Sequence, residues 1–149
     1  MTHPSQDELV ARALAVARVR ALRLGLLALH KALIDAERQS YEREHGRVES
    51  PHAALRLVLD HPRFQWLHPL AELVVHMDAR LAEDGAIDVA AAEAFRERVR
   101  ALLHDDGGHG RFGTEYRRVL QTAPEVVMAH AEVTKLLAAG STWCPDSGH

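Results

Sequence analysis

Aromatic residues make up only 5% of this 149-residue chain, cysteine occurs once and lysine twice, and the longest clean apolar run is Leu24 to Leu29. The lone Cys144 has no partner within the chain, which excludes a disulfide-built fold. A run of six residues is too short for a signal-peptide core or a membrane span, so with one cysteine the expected compartment is a reducing cytoplasm. Neither sign of charge dominates. With 26% charged residues and a net charge of −3, the chain is too apolar to be disordered and has no overall basic field for gripping nucleic acid.

What the sequence does have is 24 Ala, 20 Leu and 16 Arg, an excess of strong helix formers over β-branched and aromatic residues. This composition predicts an all-α protein. From Asp7 to His45 there is no proline, and Leu22, Leu26, Leu29, Leu33 and Ala36 recur at spacings of four and three, which predicts one long helix stopped at Gly46. Such a helix would be roughly 58 Å long, whereas a chain of this size has a compact diameter of about 38 Å. Either the helix bends near Gly25 or its first turns, carrying Val10, Leu14, Val16 and Val19, overhang the rest and need covering. This mismatch leads us to expect a homodimer through the N-terminal helix.

Further along, Ser50 and Pro51 open a short helix with Leu55, Val58 and Leu59 expected inward. A third helix carries Trp66, Leu70, Leu73, Met77 and Leu81 on one stripe, with Pro69 placing its start at His68 or kinking it. Asp88 caps a fourth with Ala92, Phe95, Val99 and Leu102 inward. The glycine-rich segment from His104 to Gly110 reads as a loop. A short helix over about Thr114 to Gln121 follows, then a last one opened by a Thr122/Glu125 capping box, with Val126, His130, Val133 and Leu137 on one face. The expected architecture is a compact bundle of about six helices over residues 1–139, followed by a flexible tail, 140–149. The segments Leu29 to Arg38, Tyr41 to Gly46, and Ser50-Pro51 through Phe64-Gln65-Trp66-Leu67-His68-Pro69-Leu70 resemble a group of small bacterial helical proteins with no assigned function. That resemblance implies a bacterial, stand-alone helical domain and brings no activity.

The 11 histidines are the compositional oddity. His68, Glu72 and His76 are spaced i, i+4, i+8 and form one stripe that could offer nitrogen and oxygen ligands to zinc or iron. The stripe points away from the apolar face, however, and no matching pair occurs on another helix, so a solvated polar face with no cofactor is the plainer expectation. His30, Glu37 and Tyr41 form a row on the first helix that could be half of a buried polar network; alternatively Glu37 pairs with Arg38 or Arg23, and Tyr41 covers the core edge. His130 is expected in the core, bonded to a carbonyl. No nucleophile elbow, phosphate loop or structured base beside Cys144 is present, so no catalytic residue is singled out.

Between Glu8 and Asp35 there is no acidic residue, while Arg12, Arg20, Arg23 and Lys31 lie on one strip of the first helix and Arg18 lies apart. The strip suits an acidic partner or pairs within the fold. It lacks the aromatics that nucleic acid or a membrane surface would use. The sequence therefore favours a non-enzymatic helical interaction or regulatory module, homodimeric through its first helix. The competing reading is a metal- or small-ligand-binding bundle using His68, Glu72 and His76 with His30, Glu37 or Tyr41.

Overall fold

Ser5 opens the longest element: its hydroxyl accepts from the Glu8 N–H at 3.1 Å and caps helix α1 (Gln6–His45). The computed structural model describes residues 5–83, 85–104 and 110–142, the side chains of 140–142 excepted. At 40 residues α1 is about 60 Å long. Gly46, at φ 90°, stops it, and its N–H returns to the Glu42 carbonyl. One face of α1, carrying Ala15, Val19, Leu22, Leu26, Leu29 and Leu33, is buried along five turns. The overhang is thus shorter than the sequence suggested. Val19 is buried and Val16 packs against the core, leaving Leu9, Val10 and Leu14 exposed at 53%, 53% and 42%.

Helix α2 (Pro51–Asp60) is capped by Ser50, whose hydroxyl accepts from Ala53 at 3.0 Å. Its orientation departs from expectation. Leu55 and Leu59 are 55% and 67% exposed, and α2 buries no residue fully, because it rests mainly on the following 3₁₀ turn through Leu57 and Val58. That turn (Pro62–Leu67) buries Phe64, Trp66 and Leu67. Helix α3 (His68–Ala82) follows without a side-chain cap, with His68 as its first residue and Pro69 in the first turn, where a missing N–H leaves no helical bond unmade. Leu70, Leu73 and Met77 continue the expected stripe inward.

Asp88 accepts from the Ala91 N–H at 2.8 Å and starts α4 (Val89–His104), which buries Phe95, Val99, Leu102 and Leu103. Helix α5 (Arg111–Leu120) begins three residues earlier than expected and thereby buries Phe112 along with Tyr116 and Val119. The Thr122/Glu125 capping box does not form: the Thr122 hydroxyl turns back to the Arg118 and Val119 carbonyls of α5. Helix α6 (Pro124–Thr142) continues past Gly140, where the tail was expected to start. Residues 143–149, with Cys144 and His149, lie outside the described residues, as do 105–109 of the glycine-rich loop.

The N-terminus of α6 shares a pocket with Ala36 and Ser40, while Val133 and Leu136 meet Gly25, so α6 runs antiparallel to α1. Gly25 is a point of close approach: a Cβ there would sit 3.0 Å from Leu136 Cδ1 and 3.3 Å from Val133 Cγ2. Helices α6, α4 and α3 all pack on α1, which acts as the spine of the bundle. Among the described residues there is no strand, and no helix is long and apolar enough to cross a membrane.

Candidate functional site

The spine has two apolar stripes. Besides the buried one, Val10, Leu14, Ala17, Ala21, Leu24 and Ala28 recur at spacings of 4, 3, 4, 3 and 4, which places them in one row along the helix. All are exposed except the half-buried Ala21, and Leu24 is 63% exposed. Leu14 and Ala21 border α4 and α6, while Val10, Ala17, Leu24 and Ala28 stay exposed. Its alanines let a partner backbone approach closely, while Val10, Leu14 and Leu24 supply larger contacts. Leu14 also forms one wall of a cleft of about 370 Å³ between α1, α4 and α6, lined by Ala15, Val19, Val89, Ala92 and Leu136. The outer stripe thus runs beside an apolar hole of the kind that takes an anchoring side chain.

Charge frames both features. At the cleft edge Arg96 bonds Glu93 and reaches Glu97 at 3.1 Å. The Arg96 hydrogen bond holds the Glu93 carboxyl below the usual range, with smaller help from Arg100 and Arg18. Of the basic strip, Arg23 pairs with Asp78 of α3 and Lys31 with Asp35 at 3.0 Å, so half of it is answered within the fold. Arg12 and Arg20 form no ion pair among the described residues. Arg18 and Arg20 stand on opposite flanks of the outer stripe, each about 80° from its centre.

The histidine stripe of α3 separates. His68 Nε2 lies 3.0 Å from Glu72 Oε1, both exposed, whereas His76 Nδ1 faces the Arg98 guanidinium of α4 at 3.0 Å. Two of the three expected ligands meet, and the third faces a cation that a metal would have to displace. No group of three metal-ligating side chains occurs among the described residues. The row on α1 separates as well. Glu37, 2% exposed, accepts from Arg118 of α5 at 2.6 Å, not from Arg38 or Arg23, and Arg118 also bridges to Glu115. Tyr41 packs its ring on His45 and His61 at the core edge.

His30 goes elsewhere again: it lines an open cleft of about 530 Å³ with Val58, Leu59, Phe64, Gln65, Leu67, His68 and Ala71. This cleft is where α1 and α3 do face each other. Burial pushes the His30 imidazole below its ordinary value. His130 is half-buried and bonded not to a carbonyl but to the Tyr116 hydroxyl, 2.7 Å from Nδ1. Burial first, and the neighbouring His104 ring second, lower the His130 pKa, while burial raises that of Tyr116. Tyr116 is therefore the donor and the neutral imidazole the acceptor. Sequence reasoning missed Arg118 and Tyr116 as partners, because each lies on another helix, and missed the outer stripe because alanine dilutes its apolar signal.

No family model, curated protein or solved structure matches the chain.

Proposed function

We propose that this protein is a non-enzymatic helical interaction module whose docking face is the outer stripe of α1, and that the occupant is an amphipathic helix with acidic flanks. The carrying observation is the row Val10, Leu14, Ala17, Ala21, Leu24 and Ala28, exposed except at Ala21, at coiled-coil spacing on a helix with no acidic residue from Leu9 to Ile34. A second copy of the chain is the competing occupant. Matching the stripe to itself antiparallel pairs Leu14 with Leu24 and Ala17 with Ala21, which packs well. It also sets Arg20, which forms no ion pair among the described residues, against Arg20 near the two-fold axis. Like charges so placed oppose association, while acidic flanks on another helix would be drawn in. The single cysteine suits a reducing, cytoplasmic setting for that encounter.

The test uses a fluorescent helical peptide with leucines at a and d and glutamates on both flanks, beside the same peptide with lysine flanks. The glutamate peptide is expected to bind at least tenfold more tightly, and Leu24→Glu to abolish binding. Equal binding of the two peptides would overturn the reading. Sedimentation velocity of the chain alone settles the competitor: self-association at micromolar concentration that Leu24→Glu removes would assign the stripe to a second copy.

A further inference from the structure

The geometry points to a small-molecule site in the cleft between α1, α2 and α3, taking an uncharged amphipathic ligand: an aromatic or short aliphatic body bearing a hydroxyl or amide head. Its volume of about 530 Å³ lies within the range of ligand pockets. Phe64 and Leu67, each 3% exposed, form an apolar floor, and Leu59 of α2 forms an exposed apolar wall. Three polar side chains from three elements converge on it: His30 of α1, Gln65 of the 3₁₀ turn and His68 of α3.

The charge balance selects the head group. Gln65 is neutral, and His68 is already paired with the Glu72 carboxylate at 3.0 Å. Burial keeps His30 neutral, so one ring nitrogen donates and the other accepts. The nearest guanidinium on the 3₁₀ turn, that of Arg63, is committed to Ser40 and Glu44 at 2.8 and 2.6 Å. Against the part-buried His30 an ionised head would lose water with no unpaired opposite charge among the lining residues to replace it, whereas a hydroxyl can both give and take a hydrogen bond. Helix α2 is suited to be the adjustable wall. It buries none of its residues fully, and its Leu59, which lines the cleft, is 67% exposed.

The probe is a series sharing one apolar body: 1-naphthol, naphthalene, 1-naphthoate and 1-naphthylmethylammonium, titrated into the full chain by fluorescence and calorimetry. Binding of 1-naphthol at least tenfold tighter than of the other three is expected. Leu59→Glu, at an exposed position, should abolish it with the circular dichroism unchanged, and His30→Phe should reduce it at least fivefold. Leu24→Glu, on the outer stripe, should leave it unaltered, which separates this site from the docking face. Naphthalene binding as tightly as naphthol, either ion binding more tightly, or naphthol binding that survives Leu59→Glu would each overturn the proposal. So would no naphthol binding together with a change of oligomeric state in Leu59→Glu, which would make the cleft a protein interface.

Discussion

Glu37 is the only charged residue buried among the described ones, and its partner is unequally placed: the Arg118 side chain is 46% exposed. That asymmetry decides which substitution costs more. Arg118→Ala strands a carboxylate inside the bundle and should cost about 3 kcal/mol. Glu37→Met leaves a guanidinium that water and Glu115 can still serve, and fills the site with apolar atoms, so it should stay within about 1 kcal/mol of the parent. Urea unfolding of the two variants checks the order, and equal losses would refute it. The histidines give a second prediction. His30 and His130 both have native pKa values held below the ordinary imidazole value of 6.5, mainly by burial. The unfolded chain therefore binds more protons between the two sets of values, and stability rises with pH there. It should be fully present above about pH 6.5 and fall as pH drops through the native values. Urea midpoints at pH 7.5 and 5.5 should differ in the parent and converge in His30→Gln/His130→Gln; an undiminished difference in that double variant would remove both histidines from the account. At this scale the sequence was least legible. It placed His30 and Glu37 at the core boundary and His130 in the core, where His130 is only half-buried, and the partners lie 81 residues away for Glu37 and 14 for His130. Periodicity along one helix says which way a side chain points and nothing of what waits there.

Elements were more legible, because their signals are local. Ser50 with Pro51, and Asp88, start helices where their chemistry says, and the stripes of α3, α4 and α6 turn inward as their spacing requires. Misreadings arose where two local options were close in energy. Thr122 could cap the next helix or bond back to the previous one, and it bonds back. Leu55 and Leu59 looked inward on a short amphipathic helix, but α2 has too little to rest against for both faces of its apolar arc to be covered. It follows that Leu55→Ser and Leu59→Ser should change unfolding free energy by less than about 0.5 kcal/mol. Gly25 is the sharper case. In an exposed helix interior alanine would stabilise by about 1 kcal/mol, yet here the added Cβ would press on Leu136 Cδ1 at 3.0 Å. Since that atom is the end of a flexible side chain, Gly25→Ala should be within about 1 kcal/mol of neutral, while Gly25→Leu should overpack the α1–α6 contact and cost about 2 kcal/mol. Thermal unfolding of the pair tests this, and a Gly25→Leu variant as stable as Gly25→Ala would show that the two helices do not meet there.

For the whole molecule, length and composition alone called for a helical bundle, and the mismatch between a helix of about 60 Å and a compact bundle raised the expectation of a homodimer through α1. What the arithmetic could not supply was the azimuth. The uncovered surface is not only the protruding end but a row continuing to Ala28, on the opposite side from much of the buried stripe. On the proposed reading the flanking cations select who docks, and the protein can supply its own test. Arg20→Glu turns one flank of the stripe acidic without touching Leu14, Ala17, Ala21 or Leu24. In the antiparallel match this variant sets its introduced carboxylate against Arg20 of an unaltered copy, while each form alone repels itself. Sedimentation at low ionic strength should show monomers of each and a one-to-one complex in the mixture. The complex should weaken as salt rises, since exposed charges are screened within about 10 Å at 0.1 M. Addition of Leu24→Glu to either partner should dissolve it, because steering by charge brings the helices together but the apolar row holds them. A mixture that sediments as two monomers would show that acidic flanks are not what this stripe selects.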